Sequence, residues 1–243
     1  MLLNIDAKLL EWCVAIYLSQ DKVGLDEIIN GVDIHADNQR RFNLPERVVA
    51  KVLLFRTIFG GTGYSFAVDP KFGIIGGESW WNEKITQFYA KYQGLYAWHE
   101  RLVQRVIESN GRLEIPSGRT YQFQPYKNQS GELKWPRTRI LNYPVQGLAA
   151  DIMSIVRVSL AKRLAYDSQV LFVNTVHDSV VLDIPKEVWY DIGSSIVLII
   201  QSVFEDMPMN FEKLFGVEWN VPISCEITLG NDWKSMKSIR NSK

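Results

Sequence analysis

The chain has 243 residues, 47% of them hydrophobic and 22% charged, a composition that is typical of a globular protein and excludes low-complexity and fibrous classes. It carries 27 basic and 27 acidic residues, so its formal net charge is zero. Proteins that bind nucleic acid are usually basic, because phosphate contacts dominate their affinity. Any nucleic-acid-binding surface on this chain is therefore expected to be local.

Export and membrane insertion are not predicted. The N-terminus has no basic segment followed by an apolar core, and the most apolar run, Ile196 to Ile200, is far too short to span a bilayer. The two cysteines, Cys13 and Cys225, form no metal-site or disulfide pattern, which favours a reducing compartment. We expect a soluble cytoplasmic chain without a membrane partner.

The first half of the chain is predicted to be one short strand followed by helices. The strand runs from Leu2 to Ile5 and ends at Asp6. Pro45 suits a first helical position, and Gly60 marks the end of the helix that follows it. The helical stretches are about 9–19, 25–29, 45–59 and 80–110, the last being one long aromatic-rich helix or two.

The second half returns to strands. Residues 112–139 alternate in the manner of β-structure, with turn signals at 116–118 and 128–131, and a helix is predicted over about 145–165. A hairpin follows, with strands Val170 to Val176 and Val180 to Ile184. The last elements are a helix over about 186–205 and a strand near 221–227. Strands at both ends around a helical middle predict an α+β domain with a helical insertion.

Two carboxylates lie where predicted strands end. Asp6 ends the first strand, and Asp178 sits with His177 in the turn of the late hairpin. Phosphoryl transfer needs divalent metal held by carboxylates that meet in space, and strand ends are rigid enough to hold them. An Asp in a turn is more often only a turn former, so this signal alone is weak.

One helix carries a graded stripe. Arg47, Lys51, Phe55 and Phe59 recur every four residues over about 18 Å of axis, at ~1.5 Å per residue. A nucleoside triphosphate beside this stripe would meet cations at its phosphates and aromatic rings at its sugar and base. The alternative is an ordinary amphipathic helix with a core of Val48, Val52, Leu53 and Ile58.

These segments resemble DNA polymerases of the A family, in the right order and over nearly the whole chain. NIDAKLLEW resembles the first palm motif, GVDIHADNQ the Asp-Ile-His segment, and RVVAKVLLFRTIFGG the fingers-helix motif. GRLEIPSGRTYQF resembles the hairpin after the fingers, and NYPVQGLAADIM the Asn-x-Pro-x-Gln-Gly helix start. TVHDSVVLDIP resembles the His-Asp palm hairpin, and LGNDW the closing segment.

The resemblance implies an α+β polymerase right hand, with an antiparallel palm sheet flanked by helices and a helical fingers insertion. Its parts would be palm over 1–37, fingers over 38–110 with the motif helix at 45–59, and palm again over 111–243. The family's thumb and exonuclease precede the first palm motif and are expected to be absent. A separate N-terminal chain would then carry the thumb and, in some arrangements, the exonuclease, as in a split phage-type polymerase in a bacterial or phage-infected cell.

The resemblance also implies roles. Asp6 and Asp178 would bind two Mg²⁺ ions, with Lys51 as a further catalytic residue. Phe55 would pack on the sugar, and Glu11 would form part of the ribose gate. The residues implied to bind nucleotide are Arg47, Lys51, Phe55, Phe59, His35 and Glu11. The residues implied to bind primer or template DNA are Asn142, Gln146, His177, Arg139 and Tyr64.

Bland alternatives stay open for several of these residues. The two histidines could be ordinary hydrogen-bonded residues, and Glu11 a solvated helix residue. Asn142 and Gln146 could serve only to cap the start of a helix.

The sequence departs from the family pattern at several positions. Phe59 replaces the usual Tyr, so the hydroxyl that would bond Glu11 is missing. Ser179 stands where the family usually has a second carboxylate, and Arg139 lies one residue too close to Asn142. These changes leave open how the chain excludes ribonucleotides and handles metal.

Three functions compete. The first is template-directed DNA synthesis on a primer 3′-hydroxyl with deoxynucleoside triphosphates and two metal ions. The second is a non-catalytic DNA-binding remnant or accessory subunit, which Ser179 and the missing thumb favour. The third is an enzyme like the single-subunit RNA polymerases, against which Phe55, Glu11 and the Asn-x-Pro-x-Gln-Gly segment argue.

Overall fold

The computed structural model describes residues 1–166 and 169–239. The helices in this part are α1 (Leu10–Ser19), α2 (Lys22–Ile29), α3 (Ile34–Arg41), α4 (Arg47–Ile58), α5 (Gly63–Ala67), α6 (Glu78–Lys91), α7 (Gln93–Glu108), α8 (Arg137–Leu164), α9 (Lys186–Glu205) and α10 (Met207–Phe215). The strands are β1 (Leu2–Ala7), β2 (Arg112–Glu114), β3 (Thr120–Gln122), β4 (Tyr126–Lys127), β5 (Leu133–Lys134), β6 (Leu171–Val176), β7 (Ser179–Asp183), β8 (Cys225–Gly230) and β9 (Lys237–Ser238).

The described residues divide into two compact units. One comprises Met1–Leu10 and the described residues from Leu148 onwards, and the other comprises Glu11–Gly147. These bounds assign residues 11–37 and 111–147 to the same unit as the predicted fingers segment, 38–110. The assignment of palm to residues 1–37 and 111–243 and of fingers to residues 38–110 stays a prediction.

The first unit is built on an antiparallel sheet with the strand order β6-β7-β1-β8-β9. β1 lies at its centre, paired with β7 on one side and β8 on the other. Its alternate residues Leu3, Ile5 and Ala7 are buried, which is the period-two burial expected of a strand. β7 is buried over Val180, Val181 and Leu182, so the two strands that end near the predicted catalytic carboxylates are anchored in the core.

α9 is an apolar helix of the first unit. It buries Gly193, Ile196, Ile200, Val203 and Phe204, whereas Leu198 is 65% exposed. Within the described ranges it has the length and composition of a helix that could cross a membrane, a test that core helices of soluble proteins also pass. The whole helix is longer than the run considered in the sequence, and the expectation of no membrane partner stays a prediction.

The second unit is mainly helical and its core is aromatic. Trp12 meets Tyr92 edge to face at a centroid distance of 5.0 Å, and Phe88 contacts both rings. Phe66 stacks on Trp81 at 4.3 Å. Arranged rings of this kind add to the stabilisation that comes from burying their large surfaces. They join α1 to α6 and α5 to α6.

Several predicted boundaries differ from the structure. α4 begins at Arg47, because Glu46 is extended and serves as its N-cap, so Pro45 lies outside the helix. The aromatic stretch forms two helices that break at Tyr92. Four elements, α3, α5, α10 and β9, are not predicted by the sequence.

Two further boundaries have clear physical reasons. α8 begins at Arg137, before Pro144, because buried Ile140 and Leu141 anchor the helix ahead of the proline. The last long strand is β8, which begins four residues later than predicted. The Val221 carbonyl accepts a hydrogen bond from the Trp219 indole, and Pro222 has no N–H to donate to a neighbouring strand. Cys13 and Cys225 are free thiols, as the sequence predicts.

Candidate active site

Asp6 and Asp178, the two residues predicted to bind metal, lie at one end of the sheet. Asp6 lies directly across from Ser179 in the β1–β7 pairing, and the Ala7 N–H donates to the Asp178 carbonyl at 3.0 Å. Both carboxyl residues are partly exposed. The sheet therefore brings together, from residues far apart in the chain, two carboxylates of the kind that hold Mg²⁺.

Asp178 is presented by a tight turn. His177 has a positive φ of 51°, an uncommon conformation for a residue other than glycine, and it is exposed. The buried Ser179 hydroxyl donates to the Val176 carbonyl at 2.9 Å. The residue that replaces the family's second carboxylate is thus used to close the turn that carries Asp178.

A third carboxylate, which the sequence did not predict for this site, lies on the strand next to Asp6. Glu226 on β8 is the direct cross-strand partner of Asp6, so it shares a sheet row with Asp6 and Ser179, and it is exposed. The predicted strand 221–227 included Glu226, but its register against β1 could not be read from spacing. Groups of three or more metal-ligating side chains are absent from the described part of the chain.

The graded stripe on α4 is exposed on one face of the helix. Arg47 and Lys51 are exposed and Phe55 is half-buried, with the Lys51 ammonium 6.0 Å from the centre of its ring. Phe59 is the C-cap residue. The buried residues of the helix are Val49, Ala50, Leu53, Leu54, Thr57 and Ile58, whereas Val48 is 53% exposed. Of the alternative core, Leu53 and Ile58 are buried as predicted, whereas Val48 is not, because the buried face is rotated away from it.

His35 lies against the stripe. It is 5% exposed, its ring centre is 6.2 Å from that of Phe55, and its Nδ1 has no hydrogen-bond partner among the described residues. Burial, then the charges of Arg47 and Lys51, lower its pKa to about 4. A neutral imidazole with an unsatisfied buried nitrogen beside two cations is suited to a polar, anionic ligand.

Asp33 joins this cluster and was also missed. It is the N-cap of α3, where its Oδ1 accepts from the Ala36 N–H at 3.0 Å. It also accepts a forked pair of hydrogen bonds from the Arg47 guanidinium, at 3.1 Å and 3.0 Å. This contact lowers the pKa of the Asp33 carboxyl. An Asp before a helix, as at Asp33, is a common N-cap signal. No pattern near it in the sequence indicates the contact with Arg47.

A buried polar network holds α3 in place. The Lys91 side chain is 4% exposed and contacts Glu27 at 2.6 Å and Asp37 at 2.9 Å. The Tyr92 hydroxyl donates to Glu27 at 2.8 Å and to Asn38 at 3.2 Å. These contacts tie α2 and α3 to the end of α6 and the residue that follows it, so they position the helix that carries His35.

The start of α8 carries three predicted DNA-binding residues. Arg139, Asn142 and Gln146 are spaced by three and four, so they share one helix face, and Arg139 and Gln146 are exposed. None of them is a cap residue of α8, which begins at Arg137. The capping alternative for Asn142 and Gln146 is therefore wrong.

Gly147 allows a close approach on the same helix. The Tyr121 hydroxyl donates to the Tyr143 carbonyl at 2.9 Å, and a Cβ at Gly147 would lie 1.7 Å from that hydroxyl oxygen. Only glycine leaves room for this contact. It braces α8 next to Pro144, where the helix lacks an N–H donor.

Two further predicted residues lie on other helices. Glu11 is in the first turn of α1 and half-buried. Tyr64 is 61% exposed on α5, which begins with a capping box at Thr62. The exposure of Tyr64 is compatible with a contact to DNA.

A sequence profile of DNA polymerase family A matches residues 1–235 of the chain. DNA polymerase I of Lactococcus lactis subsp. lactis is 25% identical over 248 residues, with 98% of this chain and 26% of that protein covered. The thermostable DNA polymerase I of Thermus aquaticus is 24% identical over 247 residues, covering 98% and 27%. The chain thus spans about a quarter of the length of these relatives.

A solved structure has the same fold. The POL domain of Pol1 from M. smegmatis, in complex with DNA primer-template and dNTP, matches with a TM-score of 0.70 at 16% identity. The match covers 97% of this chain and 40% of that one. The predicted α+β polymerase fold is confirmed.

Proposed function

The chain belongs to DNA polymerase family A, and from this premise we propose that it adds deoxynucleotides to a primer 3′-hydroxyl under the direction of a DNA template. The observation that carries the proposal is the cluster of Arg47, Lys51 and Phe55 with His35. It combines two exposed cations, one aromatic face and a buried imidazole nitrogen that has no hydrogen-bond partner in the described part of the chain. This is the arrangement that a nucleoside triphosphate needs along its length.

In this proposal the fingers residues bind the incoming nucleotide. Arg47 forks onto phosphate oxygens and Lys51 contributes a point charge, so both neutralise the charge that develops during transfer. His35, neutral at physiological pH, donates one ring N–H to a phosphate oxygen. Phe55 packs on the sugar, and Phe59 lies near the templating pair.

Asp6 and Asp178 would hold divalent metal, and their carboxylates at one sheet end fit that ion. The two Mg²⁺ ions would supply activation of the primer hydroxyl and stabilisation of the leaving pyrophosphate. The chain's own part is to hold both carboxylates in place, which the buried strands β1 and β7 and the Ser179 hydrogen bond favour. Glu226 adds a carboxylate to the same sheet row.

The DNA would be bound by residues outside this cluster. Asn142, Gln146 and Arg139 share one face of α8 and can contact primer or template beside the new pair. His177 would do so from the turn next to Asp178, and Tyr64 from α5. A separate chain that carries a thumb is part of the same proposal, since a net charge of zero gives this chain no overall electrostatic attraction for a duplex.

A second candidate function is DNA and nucleotide binding without chemistry. The observation that favours it is Ser179, whose hydroxyl closes a turn where the family usually carries a carboxylate. Retention of Asp6, Asp178, Arg47 and Lys51 favours catalysis instead. Incorporation of deoxynucleotides in preference to ribonucleotides separates the proposed activity from that of an RNA polymerase.

Primer extension with Mg²⁺ and deoxynucleotides tests the proposal, comparing the chain with Asp178→Ala. Asp191→Ala, which removes an exposed carboxylate on α9, is the matched control. We expect extension by the unmodified chain and by Asp191→Ala, and at least a thousandfold loss in Asp178→Ala, roughly the scale of removing a main catalytic group.

Extension that survives Asp178→Ala would exclude this carboxylate from the chemistry. If no variant extends a primer but the chain still binds primer-template and nucleotide, the second candidate is supported. Restoration of activity by an added thumb-bearing polymerase fragment would support the split arrangement.

A further inference from the structure

A cavity of about 620 Å³ lies where the β4–β5 hairpin meets the start of α8. Its size falls within the range of ligand pockets, about 300–1,000 Å³. Its walls come from two short stretches, 124–126 and 135–139, which belong to the same unit. The metal-binding and triphosphate-binding residues proposed above do not line it.

The cavity has aromatic walls on a stiff backbone. Tyr126 is 53% exposed and Trp135 is half-buried, so both rings have surface that water or a ligand can reach. Pro125 precedes the tyrosine and Pro136 follows the tryptophan, and each fixes its own φ. Rings held in this way lose little freedom when a flat ligand stacks on them.

The charge of the walls is positive. Arg139 is exposed and makes no ion pair among the described residues, so its guanidinium is available to an anion. Arg137 is oriented by an ion pair with Glu100 at 2.6 Å. In the described part of the chain, the residues that line the cavity include no Asp or Glu. Aromatic rings beside arginine are the combination that binds single-stranded nucleic acid, with bases stacked and phosphates paired.

The cavity continues the DNA-binding face proposed above. From Arg139, which lines the cavity, to Gln146 is about 10 Å along α8, at ~1.5 Å per residue. Asn142 lies between them on the same face. A strand that contacts this face would reach the cavity at its Arg139 end.

From these observations we infer that the cavity binds an unpaired nucleotide of single-stranded DNA. The base stacks on Tyr126 and Trp135, and the adjoining phosphate pairs with Arg139. The inference rests on the proposed function only in taking DNA as the ligand. Aromatic and proline-lined grooves also bind proline-rich peptides, but the free guanidinium and the continuous polar face favour nucleic acid.

Fluorescence anisotropy of a labelled single-stranded oligodeoxynucleotide tests this without added nucleotide or metal. We expect Tyr126→Ala and Trp135→Ala each to weaken binding about tenfold, since stacking is worth roughly 1–3 kcal/mol per base. Tyr126→Phe and Trp135→Phe keep a ring and should stay within about twofold of the unmodified chain. Tyr190→Ala, at a tyrosine that is 79% exposed on α9, is the matched control and should bind normally.

An oligonucleotide with abasic sites throughout separates stacking from charge. It should bind the alanine variants and the unmodified chain equally, because no base remains to stack. Binding of the normal oligonucleotide that is unchanged in both alanine variants would overturn the inference. The inference would also be overturned if the alanine variants lost binding of a proline-rich peptide but kept binding of the oligonucleotide.

Circular dichroism of Trp135→Ala and Tyr126→Ala checks that their binding losses are not caused by unfolding. The assay needs no chemistry, so a failure of primer extension leaves its outcome intact. Conversely, normal primer extension with unchanged oligonucleotide binding would overturn this site and leave the proposed function standing.

Discussion

Arg47 and Asp33 form a forked ion pair that joins the first residue of α4 to the N-cap of α3. Nε donates to one carboxylate oxygen at 3.1 Å and Nη2 to the other at 3.0 Å. This is the two-pronged geometry in which a guanidinium also binds phosphate. The carboxylate therefore occupies the donors that the proposal assigns to a triphosphate, and the ligand must displace it.

We predict that Asp33→Asn tightens binding of a triphosphate. Asn is as good an N-cap as Asp, so α3 should remain formed while the competing charge is removed. Because exposed ion pairs are weak, the gain should be about two- to fivefold. Titration calorimetry with inorganic tripolyphosphate measures it.

The same substitution in an Arg47→Ala background is the control. If Asp33 acts by occupying Arg47, the gain disappears there. An equal gain in triphosphate affinity in both backgrounds would mean that the Asp33 carboxylate acts only by repelling the ligand's negative charge, without involving Arg47. Weaker binding in Asp33→Asn would mean that Asp33 orients Arg47 for the ligand.

Gly147→Ala should destabilise the chain by about 1–3 kcal/mol, the range for overpacking a core. The new Cβ would lie 1.7 Å from the Tyr121 hydroxyl oxygen and would break the bond to the Tyr143 carbonyl. Urea unfolding measures the loss. Adding Tyr121→Phe should recover part of it, because the clashing oxygen is removed.

Gly77→Ala is the comparison for that substitution, since no atom of the residues that the structure describes lies within 4 Å of a Cβ at this position. Gly77 is the N-cap of α6, so the change should cost under about 1 kcal/mol. Equal losses at Gly77 and Gly147 would contradict the steric argument.

Lys91→Met should cost about 3–5 kcal/mol, because it leaves the carboxylates of Glu27 and Asp37 near one another without their buried cation. Thermal or urea unfolding measures the change. Lys22→Met, at an exposed lysine of α2, should be close to neutral. A loss below about 1 kcal/mol at Lys91 would show that the network does not hold α3.

The folded chain should lose stability as pH falls from about 6.5 to about 4. Burial beside Arg47 and Lys51, only partly offset by Asp33, lowers the pKa of His35 to about 4 from its usual 6.5. In that window the unfolded chain binds a proton that the folded chain does not, so the free energy of unfolding rises with pH. Burial lowers the pKa of His99 to about 3, with the same sign.

His35→Gln should therefore flatten this part of the pH profile, as measured by urea unfolding at several pH values. The carboxyls of Asp33 and Asp37 have lowered pKa values and titrate below the window, where their stabilisation is lost. A profile that keeps its full slope between pH 6.5 and 4 in His35→Gln would contradict the assignment.

The features that the sequence predicted well are those with local periodic signals. β1, the β6–β7 hairpin and α9 have the period and turn chemistry of their classes, and they were located within a residue or two. Helical spacing alone was enough to predict that Arg47, Lys51 and Phe55 share one face of α4. The sequence predicted the start of α8 at about residue 145, because a proline such as Pro144 is typical of a helix start. The helix in fact begins at Arg137, since buried residues on both sides of Pro144 stabilise it.

The features that were missed depend on pairs distant in the chain. Glu226 and Asp6 are neighbours only through the register of β8 on β1. Asp33 and Arg47 are 14 residues apart, and Lys91 and Asp37 are 54 apart. No local pattern encodes such contacts, because packing of whole helices decides them. The cavity beside Tyr126 and Trp135 likewise forms only when two stretches meet.

The exposed edge strand β6 affects the solubility of the protein. All six of its side chains are exposed, four of them apolar, and it lies at the edge of the sheet with one line of backbone groups unpaired within it. Such an edge invites an identical strand from another molecule. We therefore expect concentrated solutions of the protein to aggregate and become turbid over time. Val173→Lys should reduce this turbidity.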